Sequence, residues 1–163
     1  MGAKKWKGKE KYSNLFSPIR MRNVRAKNRI IAAPTSPSMI TTEGHFTPEM
    51  IAYLEEKALG GAGIVTYGEA IVHSATGKSH NKQLQLDSFG VKQGMAQAAR
   101  AIHNAGAYAN IQLSHGGKYG GLASVGGDHL DKCNTAYGPS HEVTPVGEVQ
   151  EMPKELILEI VES

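Results

Sequence analysis

Apolar positions along the chain follow two rhythms. The short run Ile30-Ile31-Ala32-Ala33 reads as a strand covered on both faces, and Ile64-Val65-Thr66-Tyr67 as a second strand. Tyr108-Ala109-Asn110-Ile111-Gln112-Leu113 reads as a third. Between them the spacing becomes helical. Met50, Tyr53, Leu54, Lys57 and Ala58 mark one helix, which Thr47-Pro48-Glu49 opens with a cap, a proline and an acid, and Gly60-Gly61 closes. Phe89, Met95, Ala98, Ala99 and Ile102 mark a second, starting near Asp87-Ser88 and closed by Ala105-Gly106. Leu156, Ile157, Ile160 and Val161 stripe a third behind Pro153. Ahead of all these, Ile19-Arg20-Met21 and Val24-Arg25-Ala26 flank Arg22-Asn23 as a small hairpin. Gly68 is expected to end the second strand. The stretches 74–85 and 114–151 read as loops.

Strands alternating with helices imply parallel pairing through right-handed crossovers. An open doubly wound sheet would need a phosphate-binding glycine loop after its first strand, and Ala33-Pro34-Thr35-Ser36 is not one. Gly60-Gly61-Ala62-Gly63 follows a helix instead of a strand, and Gly116-Gly117-Lys118-Tyr119 lacks P-loop spacing; both read as turns. A closed barrel is the stronger reading. Such barrels take about 250 residues, and three parallel strands cannot close one. The expected fold class is therefore α/β, the N-terminal part of a (β/α)8 TIM barrel: a β-hairpin plus about three βα units, the front of a larger enzyme.

Composition narrows the function classes. The 163 residues are 40% hydrophobic and 20% charged, as in a globular domain. The net charge of +3 owes much to Lys4, Lys5, Lys7, Lys9 and Lys11. Residues 1–14 read as a basic flexible tail and 15–163 as the barrel portion. Beyond the tail the charges balance, which argues against nucleic acid as a partner. No run approaches a membrane span or a secretory signal. Cys133 is the sole cysteine, so an internal disulfide framework is excluded and the cytoplasm is the expected compartment. His129 and Cys133 lie four apart, but no second pair completes a zinc tetrad, and no metal is expected. His45, His73, His80, His103 and His141 read as scattered surface residues.

The first strand carries the candidate chemistry. Pro34 stops it, because proline cannot donate to a sheet ladder. Thr35-Ser36-Pro37-Ser38 then forms a stiff, hydroxyl-bearing loop where α/β proteins bind ligands, at the carboxyl ends of the strands. An ordinary strand exit without a ligand fits this stretch alone equally well.

A resemblance adds to this. Leu15-Phe16-Ser17-Pro18-Ile19, Lys27-Asn28-Arg29-Ile30, Ala33-Pro34, Gly63-Ile64-Val65-Thr66 and Ile111-Gln112-Leu113-Ser114-His115-Gly116-Gly117, in this order, resemble the Old Yellow Enzyme family of NADH:flavin oxidoreductases, closest to its dienoyl-CoA-reductase-like and bacterial ene-reductase branch. The resemblance implies a barrel that binds FMN at its top, is reduced by NADH or NADPH, and passes hydride to a small-molecule activated alkene. It places Ala33, Pro34, Thr35 and Ser36 against the flavin ring, Gly68 where a backbone approaches it, and Gln112 at its pyrimidine edge. Ser36 stands where relatives often carry threonine or cysteine, and Lys118 where many carry arginine. His115 is read as shaping the site. The catalytic residues, a substrate-binding histidine pair and a proton-donating tyrosine, are expected downstream of Ser163, as are the phosphate-binding loops and any cysteines for an iron–sulfur cluster. Self-association into a homo-oligomer is also expected. Two other readings stay open: a non-catalytic barrel fragment that self-associates, and a different phosphate-binding barrel enzyme. The second lacks support, since Ser36, Gly68 and Gln112 offer no lysine or paired carboxylates.

Overall fold

The computed structural model describes residues 10–120, 135–145 and 147–162. A four-residue helix, α1 (Ser13–Phe16), leads into an antiparallel hairpin of β1 (Ile19–Met21) and β2 (Val24–Ala26). The hairpin turns at Arg22-Asn23 as expected, with Arg22 at a φ of 51°. Most of the proposed tail lies outside the described residues, and Ser13 and Asn14 belong to α1.

Four parallel strands follow. The first, β3, is short (Ile31–Ala32) and pairs in register with Ile64 and Val65 of β4 (Ile64–Ile71). Between them runs α2 (Pro48–Leu59). The Thr47 hydroxyl caps it by accepting from Met50 N–H at 3.2 Å, with Pro48 at the first helical position and Gly60 past the end. After β4 come a single helical turn, α3 (Ser74–Gly77), and β5 (Leu84–Gln85), which pairs with the upper part of β4. Helix α4 (Val91–Asn104) then leads to β6 (Tyr108–Ser114) on the other edge of β4. Met50, Leu54 and Ala58 from α2 and Val91, Ala98 and Ile102 from α4 pack on Val65, Tyr67 and Ala70 of β4 as one continuous core. Strands β3 to β6 make an open parallel sheet with α2 and α4 packed on one face, the arrangement expected for part of a barrel wall.

Four expectations need correcting. Gly68 does not end the second strand: β4 runs three residues further, to Ile71, through a bulge. Helix α4 begins at Val91, and Phe89, assigned to its apolar side, is 100% exposed ahead of the Gly90 cap. The polar 74–85 stretch contains α3 and β5, because Leu84 is fully buried against β4. The long 114–151 stretch contains a second sheet of β7 (Ala136–Gly138), β8 (Glu142–Thr144) and β9 (Gly147–Glu151), with β9 central. The third helix, α5 (Lys154–Glu162), forms as expected and buries none of its residues. No helix among the described residues is long and apolar enough to cross a membrane.

Candidate functional site

The site is built at the carboxyl ends of β3, β4 and β6. In the β4–β6 pairing, Tyr67 faces Ile111 and Ala70 faces Leu113. Two residues of β4, Gly68 and Glu69, thus stand opposite Gln112 alone. Bulges of this kind occur beside active sites, where they re-aim side chains. Tyr67 and Ala70 both join the core against the helices. Gly68 and Glu69 between them therefore share the opposite face, the one that would line the inside of a barrel. The Gly68–Glu69 peptide is cis.

On that inner face Asn110 Nδ2 donates to Thr66 Oγ1 at 3.2 Å, and one step further up Gln112 lies across Gly68. A Cβ on Gly68 would stand 2.5 Å from Gln112 Oε1 and 2.8 Å from both the Gln112 and Pro34 Cβ atoms. The three strand ends converge this closely only because residue 68 has no side chain. Gln112 is exposed and its amide has no hydrogen bond among the described residues. Ala33 and Pro34 are exposed beside it.

The two hydroxyls of the first loop diverge. Thr35 accepts from Lys57 Nζ at 2.6 Å, and that ammonium also sits 4.3 Å from the centre of the Tyr53 ring. Its hydroxyl is thus turned to α2. The Ser36 hydroxyl is buried without a hydrogen-bond partner, as is the phenol of Tyr67. The Ser36 and Tyr67 hydroxyls are neighbours, and that of Ser36 partly offsets the effect of burial on the phenol. Tyr67 is 3% exposed and packs edge-on against Phe46 with ring centres 4.8 Å apart. Burial pushes its phenol up from the ordinary value, with the nearby Glu69 carboxylate adding to the rise.

His115 sits just past β6 in a hydrogen-bonded chain. Its Nδ1 accepts from Gly117 N–H at 3.0 Å, which leaves Nε2 to donate to Thr76 Oγ1 at 2.9 Å. The Thr76 hydroxyl in turn reaches His73 Nδ1 at 2.8 Å, and His73 Nε2 faces Glu159 of α5 at 3.6 Å. Burial, then the charge of His73, holds the His115 imidazole below its usual pKa. The chain clasps the loops after β4 and β6 together. His73, read as a surface residue, has a side chain only 13% exposed because it belongs to this clasp. Lys118 pairs with Glu142 at 3.2 Å instead of facing the strand ends. A cavity of about 260 Å³, lined by Phe46, Leu54, Tyr67, Met95 and Ile111, lies among the helices, on the other face of the sheet.

Sequence reading missed a second group beside Gly68. Glu69 Oε1 accepts from Gln83 Nε2 at 2.6 Å and faces His80 Nε2 at 3.3 Å. Only its position next to Gly68 could have hinted at this, since the contact joins a strand to a distant loop. No group of three or more His, Cys, Asp or Glu side chains placed to hold a metal occurs among the described residues, and His129 and Cys133 lie outside them.

A parallel strand–helix sheet with polar groups gathered at its strand ends is the architecture of part of a β/α-barrel wall. Residues 14–163 match the model of the NADH:flavin oxidoreductase / NADH oxidase family, and the chain belongs to that family. It is 31% identical over 107 residues to an NADH oxidase of Thermoanaerobacter brockii, covering 66% of this chain and 16% of that protein. Among solved structures, a 2-naphthoyl-CoA reductase in complex with 2-naphthoyl-CoA superposes with a TM-score of 0.80 at 31% identity, over 93% of this chain and 24% of that one. The Old Yellow Enzyme of Pichia sp. AKU4542 gives 0.79 at 19% identity, over 91% and 40%, a likeness of fold. The chain thus spans a sixth to two fifths of these relatives.

Proposed function

We propose that the intact protein is an FMN-dependent NAD(P)H oxidoreductase that reduces an activated carbon–carbon double bond, and that this chain supplies the flavin-facing tips of its first strands. The observation that supports it is the close meeting of Pro34, Gly68 and Gln112 at the strand ends. These groups fit a flavin. A flat ring needs an approach with no side chain in the way, which Gly68 offers. The Gln112 amide both donates and accepts, matching the alternating carbonyl and N–H groups of a pyrimidine edge. The Ser36 hydroxyl donates to a carbonyl oxygen there, and the Ala33–Thr35 backbone lines the ring; Thr35 takes part through its main chain, since Lys57 holds its hydroxyl.

Bound FMN would carry hydride between the nicotinamide and the alkene. This chain's residues orient the ring and hold donors where negative charge gathers on reduction, a preorganised-dipole effect. The kinship with an aryl-CoA reductase at 31% identity favours a conjugated, electron-poor double bond as substrate. The test is flavin retention. Full-length protein mixed with FMN should stay stoichiometrically yellow through gel filtration, and a colourless eluate would refute the reading. The 163-residue chain alone should bind FMN weakly or not at all.

A further inference from the structure

We propose that Glu69 and His80 form a redox-linked proton site: His80 takes up a solvent proton when the ring facing Gly68 gains negative charge, and releases it when that charge leaves. This rests on the flavin reading above and adds to it two residues of unassigned role.

The case begins with the bulge. Because Tyr67 and Ala70 both point to the helix-side core, Glu69 emerges on the same face as Gly68 and Gln112. Glu69 directly follows Gly68, where the strand ends approach most closely. Glu69 and His80 have side chains 33% and 32% exposed, so both reach solvent protons while staying partly shielded. Their 3.3 Å contact is held from behind by Gln83, which is 0% exposed. Gln83 Oε1 accepts from Ser79 N–H at 2.8 Å and His80 N–H at 3.1 Å, which fixes the loop that carries the imidazole. Gln83 Nε2 donates to Glu69 Oε1 at 2.6 Å and to Ser79 Oγ at 3.0 Å. Both ends of a fully buried amide are thus occupied in setting an acid beside an imidazole.

The chemistry follows from charge. New negative charge nearby favours the protonated imidazole, and histidine is the side chain able to answer near neutral pH. The other groups facing the pair do not compete. Gln83 and Ser79 do not titrate, and Tyr67, from β4, is kept neutral by burial. Lys78 and Lys82 are the charged groups of the same loop. The balance is simple. Two electrons and a proton pass from the nicotinamide as hydride, and one further proton passes from solvent to His80. Reoxidation by the alkene returns the hydride to substrate and frees the His80 proton for the carbanionic carbon or for solvent.

The experiment is equilibrium potentiometry of the full-length flavin-loaded protein across about pH 5 to 8, with proton uptake on reduction followed by an indicator dye. Wild type should take up about one proton more per two electrons than the variants His80→Gln and Glu69→Gln within part of that range, with a correspondingly steeper dependence of potential on pH. His103→Gln, on the exposed face of α4, should behave as wild type. Equal proton counts in wild type and His80→Gln overturn the proposal while leaving the flavin site standing. A protein that holds no flavin overturns the parent reading instead, and this one with it. If both variants lose flavin or fail to fold, the wild-type count decides: uptake no greater than that of free FMN over the same range overturns the proposal.

Discussion

Replacing Gly68 by alanine probes the convergence of the strand ends directly. The new Cβ would meet three atoms at 2.5–2.8 Å, far inside ordinary contact. Gln112 Oε1 ends an exposed side chain and can swing aside. The Gln112 and Pro34 Cβ atoms cannot, since the backbones of β6 and the loop after β3 fix them. Relief requires prising the strand ends apart, and overpacking of this kind costs about 1–3 kcal/mol. Alanine also narrows the unfolded ensemble, which offsets roughly 0.4–1 kcal/mol. The net loss by these terms is about 0–2.6 kcal/mol, centred on about 1.3 kcal/mol. Gly94→Ala is the matched control. Its nearest neighbour would be Phe46 Cβ at 3.4 Å, ordinary contact, and it sits inside α4. Alanine there should stabilise by about 0.5–1 kcal/mol. Urea denaturation of each variant, followed by circular dichroism, reads both signs. A Gly68→Ala protein as stable as Gly94→Ala would refute the packing described for the strand ends.

Other consequences test separate parts of the structure. Thr47→Ala removes the cap on Met50 N–H and the hydroxyl's bond to Met39 O, and should cost about 1–2 kcal/mol in the same assay. His115 has its pKa lowered in the folded state, so its neutral form is the one the fold favours. Its contribution is therefore fully present above the unfolded value near about 6.5 and is lost as pH falls below that toward the folded value. Protonation also turns Nδ1 into a donor aimed at Gly117 N–H. Thermal melting should fall between pH 7.5 and pH 5 more steeply in wild type than in His115→Gln, and parallel curves would contradict the clasp. In the full-length protein, Ser36→Ala should weaken FMN binding by about threefold to tenfold, the net worth of one hydrogen bond, as read by fluorescence titration.

Helix α2 was legible in the sequence because local signals agree there: a threonine cap, a proline at the first helical position, an apolar stripe and a terminal glycine. The lower half of β4 was legible for a related reason, since burial on both faces leaves an apolar run; β3, expected to be covered in the same way, and β6 bury none of their residues. Gly68 misled because glycine punctuates strands, whereas here it permits close approach inside one. No local pattern marks a bulge; it exists only relative to Gln112 on another strand. The small sheet of β7, β8 and β9 escaped because its strands are three to five residues long and only Ala136, Gly138 and Val149 are buried. The candidate flavin residues came from resemblance, not periodicity. Glu69, His80 and Gln83 were missed because their association is set by where the loop before β5 returns.

The most direct measurement is a crystal structure of the full-length protein with FMN bound. The strand-end reading predicts the ring lying over Gly68, the Gln112 amide about 3 Å from its pyrimidine edge, and the Ser36 hydroxyl donating to a flavin carbonyl. A ring seated elsewhere, with Gln112 and Ser36 out of hydrogen-bond reach, would contradict it.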